Sequence, residues 1–138
     1  LSTTVPLCTL NPARIFSERG IVREAAETAT AENIKLLRAT LAEQRGFSGD
    51  SEAFISADMK FHTQIAAISG NPIYVAVSEA MLGWLKEYHT EMLIWTGKEQ
   101  FTLTEHEEII GRLAARDADG AESAVLKHLE RSRALYTK

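Results

Sequence analysis

Apolar side chains recur at intervals of three and four residues along almost the whole chain, and no stretch keeps the period of two that a half-buried strand requires. There is no run of alternating Val, Ile and Thr, no Asn-Gly or Asp-Gly hairpin turn, and only three prolines. This patterning predicts an all-α chain. At 138 residues it suffices for one domain with one core. Its 45% apolar and 25% charged residues match an ordinary globular composition rather than a disordered one.

Start and stop residues divide the pattern into six segments. Pro12 suits the first position of a helix running to about Thr28, because its missing N–H would lack an intrahelical partner there. Thr30 caps a second helix that Gly46 closes, and Asp50 or Ser51 opens a third with Phe54, Asp58, Phe61, His62, Ile65 and Ile68 on one face. Ser69-Gly70 ends it. Asn71-Pro72 begins a fourth helix, predicted to reach about Trp95 and, being apolar over two stripes, to lie at the centre. Thr102 to Glu105 and Asp119 to Glu122 read as capping boxes opening a fifth and a sixth helix. Short connections make this an antiparallel bundle of about six helices.

Several functions are disfavoured at once. The formal net charge is -4 and no Lys/Arg cluster is dense enough to neutralise a row of phosphates, so this segment is not expected to hold DNA itself. The single cysteine, Cys8, rules out an internal disulfide. No apolar run reaches the length of a membrane span and residues 1–12 lack signal-peptide character, so the expected setting is cytoplasmic. Leu1 in place of Met, with Pro6 and Pro12 in a polar opening, marks 1–12 as a linker at the edge of a longer protein and 13–138 as the domain.

Chemistry concentrates at four residues. Asp58 and His62 stand four apart, so both leave the same helix face one turn from each other and can hold one ion. His106 and His128 each interrupt the apolar stripe of a separate helix, where a buried imidazole needs a partner. Three imidazoles and one carboxylate suit Zn²⁺ first, with Ni²⁺, Mn²⁺ or Fe²⁺ as alternatives, whereas Ca²⁺ calls for an oxygen cage. A histidine on an apolar face also fits as a packed core residue, and spacing does not decide between the two.

The run Asp58-Met-Lys-Phe61-His62 through Ser69-Gly70-Asn71-Pro72, then Glu105-His106 before Ile109-Ile110, Arg116-Asp117, and Lys127-His128-Leu129, resembles the C-terminal FCD domain of GntR-type transcription regulators of the FadR/VanR kind. The resemblance extends from about Arg14 to Tyr136. It implies an all-helical effector-binding bundle, a winged helix-turn-helix outside these 138 residues through which DNA is bound, and a homodimer of the full-length protein. It also implies a divalent metal, commonly zinc, at Asp58, His62, His106 and His128, beside a cavity for a small organic acid.

Arg14 matches the family's first-helix arginine and is the candidate for the effector's carboxylate, although a surface pair with Glu18 also fits. One departure is the lack of an arginine in residues 72–95, which hold only Lys86. Trp84, Tyr88 and Trp95 can line a pocket for a sugar-like acid or be plain core, and His89 reads as a core or interface residue. The expected function is therefore metal-dependent sensing of a small carboxylate metabolite, without catalysis. The competing readings are a small metallohydrolase with Glu105 or Glu107 as base, and a metal-free helical dimerisation module. Those glutamates fit helix capping better than catalysis, and no nucleophile elbow, phosphate loop or HExxH motif is present.

Overall fold

A computed structural model describes residues 5–88 and 97–136, with side chains through 131. The described residues form six helices: α1 (Leu7–Thr28), α2 (Ala31–Gly46), α3 (Ser51–Ile68), α4 (Pro72–Tyr88), α5 (Glu99–Ala114) and α6 (Ala118–Tyr136). The all-α bundle expected from periodicity is what the chain adopts. None of these helices is long and apolar enough to cross a membrane.

α1 touches α3, α4, α5 and α6, while α2 packs on α3 and α5. The main core joins Val22, Ala25 and Ala26 of α1 to Leu37 and Leu41 of α2, Phe54, Phe61 and Ile65 of α3, Ile109, Ile110 and Leu113 of α5, and Val125 and Leu129 of α6. A second cluster, Leu10, Ile55, Met81, Leu82 and Leu85, seats α4 against α1 and α3.

Several expectations about helix ends and placement need correction. α1 begins at Leu7, so part of the presumed linker is helical and Pro12 lies inside the helix. Proline there removes the bond to the Cys8 carbonyl, a loss offset by burying Leu10 on Met81, Leu82 and Leu85. α4 is peripheral rather than central, because its contacts are with α1 and α3 and it leaves Ile73 and Trp84 exposed. Its predicted continuation to Trp95, with His89 and Trp95 themselves, falls outside the described residues.

The two capping boxes are also displaced. α5 starts three residues before Thr102, with the Phe101 N–H donating to the Lys98 carbonyl, and Glu105 turns toward α6 instead of its own helix end. α6 is capped by Asp117, whose carboxylate accepts from the Gly120 N–H at 2.9 Å. A Cβ on residue 120 would collide with that carboxylate, so glycine makes the cap possible. Asp119 and Glu122 instead pair with Arg23 of α1, and Glu122 also with Arg19.

Other boundaries follow sequence logic. Thr30 and Asn33 form a reciprocal capping box, with bonds of 3.1 and 2.9 Å between each side chain and the other's backbone N–H. Asn71 caps α4 through the Ile73 N–H. Arg116 adopts a left-handed backbone with φ 57°, and its guanidinium donates to the Glu27 and Ala29 carbonyls, fastening the α5–α6 corner to the end of α1. Thr30→Ala is expected to lower stability by about 1 kcal/mol, read as a lower urea midpoint at unchanged slope.

Candidate metal centre

α3 carries Asp58 and His62 on its inward face, where Phe54, Phe61 and Ile65 pull that stripe into the core. α5 turns His106 inward between Leu103 and Ile109, and α6 does the same with His128 between Val125 and Leu129. All four polar side chains are at most 4% exposed. One ligand atom from each lies within 4.8 Å of the others. The ring centroids of the three histidines are 5.0 to 5.7 Å apart.

Orientation comes from partners on neighbouring helices. His62 Nδ1 lies 2.7 Å from Glu18 Oε1 on α1, His106 Nδ1 2.9 Å from Gln44 Oε1 on α2, and His128 Nδ1 2.5 Å from Glu105 Oε1 on α5. Phe61 stacks on His106 at 4.0 Å, 8° from parallel. On the inner side, Asp58 Oδ1, His62 Nε2 and His106 Nε2 are buried without a hydrogen-bond partner. His106 Nε2 stands 3.2 Å from Asp58 Oδ1 and His62 Nε2 3.8 Å from it, so the inner nitrogens of both rings face one carboxylate oxygen.

The charge states reinforce this picture. Burial would raise the Asp58 carboxyl, but the three surrounding imidazoles, led by His106, hold it well below the usual carboxylate range. Glu18 is likewise held low, with Arg14 and His62 outweighing burial. Glu105 is pulled down to about 2 because His128 and Arg131 outweigh its desolvation. Burial drives His106 down to about 4 despite Asp58, so its ring is neutral at physiological pH. For His62, Glu18 and Asp58 overcome burial and raise the imidazole.

These residues fit a divalent ion. Atoms bound about 2.1 Å from a tetrahedral centre lie about 3.4 Å apart, so a contraction of the cluster by less than about 1 Å per atom would complete a shared shell. Arg14, the expected effector residue, is buried rather than on the surface, and its Nε donates to Glu18 Oε2 at 2.6 Å. It thus stands behind His62 through Glu18. Trp84 lies 40% exposed beside an open depression of ≈ 470 Å³ between α1 and α4, lined by Leu10, Ala13, Val77 and Met81. That depression includes none of the four clustered residues and no charged side chain to hold a carboxylate.

Sequence reasoning missed Glu18, Gln44 and Glu105 as partners of the histidines. The sequence suggests only local roles for Glu18 and Glu105, and Gln44 carries no signal beyond sitting near the end of an amphipathic helix.

The sequence model of the FCD domain matches residues 12–131. The chain belongs to the FCD domain family. Curated relatives of this FCD domain include the HTH-type transcriptional repressor NanR of Salmonella schwarzengrund, 34% identical over 125 residues, and that of Edwardsiella tarda, 36% identical over 118. Each alignment covers 84% of this chain, which spans only 45% of either relative. These relatives are transcriptional repressors rather than enzymes. Among solved structures, E. coli McbR/YncC superposes with a TM-score of 0.83 at 20% identity, over 94% of this chain and 66% of its own. A Streptococcus agalactiae GntR follows at 0.77 and 21% identity, over 91% and 57%. Both share the fold of the FCD domain.

Proposed function

We propose that this FCD domain is the effector-sensing part of a GntR-type transcription regulator, in which Asp58, His62, His106 and His128 hold one divalent ion and a small organic or sugar acid binds at that ion. The observation that carries the reading is the convergence of Asp58 Oδ1, His62 Nε2 and His106 Nε2, three buried polar atoms with no hydrogen-bond partner. A cation is what such a set lacks. Zinc suits three imidazoles and a carboxylate best, with nickel, manganese or iron as alternatives.

When bound, such an ion supplies a positive centre with an exchangeable position for a carboxylate oxygen. Arg14, whose Nε donates to Glu18, would have to turn its terminal guanidinium nitrogens toward the ion to donate to the acid's second oxygen. A preference of the acid for one packing of the bundle would then bias a DNA-binding domain elsewhere in the protein. DNA binding and a homodimer belong to that longer protein.

The family and the partners of the site speak against hydrolysis. Glu105, one candidate base, is occupied by His128 and Arg131, and Glu107 pairs with Arg45 at the surface. Elemental analysis should find one divalent ion per chain. In a thermal-shift screen of organic and sugar acids, the acids that bind should raise the melting temperature only without chelator. Stabilisation that persists in chelator would overturn metal-dependent sensing, and turnover of any acid would restore the metallohydrolase.

A further inference from the structure

We infer that Glu18, Gln44 and Glu105 are positioning residues that fix one tautomer in all three histidines, presenting Nε2 inward, and that they grade the donor strength of the rings. The inference rests on reading the cluster as a metal centre and concerns how this chain prepares it. Each positioning group comes from a helix other than the one bearing its histidine: α1 serves α3, α2 serves α5, and α5 serves α6. An ionised carboxylate can only accept a hydrogen bond. Glu18 and Glu105 therefore require the proton on Nδ1 of His62 and His128, which leaves the lone pair on Nε2.

Both carboxylates are themselves held from behind. Arg14 Nε donates to Glu18 at 2.6 Å, and Arg131 reaches Glu105 through Nε at 2.5 Å and through its terminal nitrogen at 2.7 Å. Two guanidinium–carboxylate–imidazole relays thus approach the cluster, from α1 and from the α5–α6 pair. His106 differs, for its partner is the neutral amide of Gln44, fully buried on α2. A carboxylate acceptor makes an imidazole more basic than an amide does. The structure therefore assigns His62 and His128 as the stronger donors and His106 as the weaker.

The test uses the full chain with Zn²⁺ itself, its affinity read by competition with a chromophoric chelator, and long-range ¹H–¹⁵N spectra of the histidine rings as a metal-independent measure of tautomer. Glu18→Leu and Glu105→Leu should each weaken Zn²⁺ binding by roughly 10–100-fold and give mixed tautomers. Glu18→Gln and Glu105→Gln, whose amide oxygen still accepts, should recover most of that loss. Gln44→Glu should tighten binding several-fold.

Should leucine variants fail to fold, the glutamine variants and the wild-type spectra still decide the matter. Neutral rings found protonated on Nε2 instead of Nδ1 in the wild type, or leucine variants with unchanged affinity and tautomer, would overturn the inference. Wild-type protein that binds no Zn²⁺ yet shows three Nδ1–H rings would refute the metal reading while leaving the positioning intact.

Discussion

His62→Ala is expected to strip the domain of its metal and, with it, of any response to acids. Of the four clustered side chains, His62 has the most at stake geometrically: it shares α3 with Asp58, and it is the ring that Glu18 ties to α1. Apparent binding free energies of four-ligand zinc sites, on the order of 10–16 kcal/mol, imply roughly 3–4 kcal/mol per ligand. Affinity should therefore fall on the order of 10²–10³-fold, enough for the ion to be lost on gel filtration against a weak chelator. His128→Ala should behave alike, with helical content by circular dichroism unchanged in both. Metal retained at one equivalent by either variant would remove those residues from the ligand set.

The second large effect is thermal. An ion at a thousand-fold excess over its dissociation constant stabilises a fold by about 4 kcal/mol. For a chain of this size each kcal/mol moves the melting temperature by about 2–4 °C, so a strong chelator should lower it by roughly 8–16 °C. The gap should depend on pH in a definite direction. In the ion-free protein the His62 imidazole is raised, so its charge pairing with Glu18 and Asp58 is fully present below the unfolded value and lost as pH rises through the folded one.

Protons and metal therefore compete for the same ring. Apparent affinity should drop about tenfold per pH unit for each displaced proton, and the chelator-sensitive gap should narrow from pH 8 toward pH 6. Asp58 and Glu18, both held low, stay ionised across that window, and their own contributions are lost only on further acidification, below the unfolded carboxylate range. A gap that widened on acidification would contradict a histidine site.

Helix number, most boundaries and the four clustered residues could be read from sequence because each depends on local rules. Spacing by four put Asp58 and His62 on one face, and an imidazole within an apolar stripe drew attention to His106 and His128. What stayed hidden was held between helices. Glu18 is 44 residues from His62 and Gln44 is 62 from His106, distances at which no periodicity speaks. Glu105 misled because a Thr-x-x-Glu pattern has a local meaning, which lost to a bond with α6. Pro12 misled in the same way: its ordinary place is a helix start, but burial of Leu10 extended α1 beyond it. The peripheral place of α4 was illegible because apolar breadth reports surface that wants covering and does not say what covers it.

The stacking of Phe61 on His106 has a consequence for selectivity. A ring flat against a phenyl face, with an amide at its outer edge, is held on two sides, which restrains its rotation. Such a cage is preorganised, so little chain entropy is spent when an ion enters. Discrimination among ions of equal charge then falls chiefly to radius and preferred ligand number, because a restrained ring adapts less readily to a poor fit.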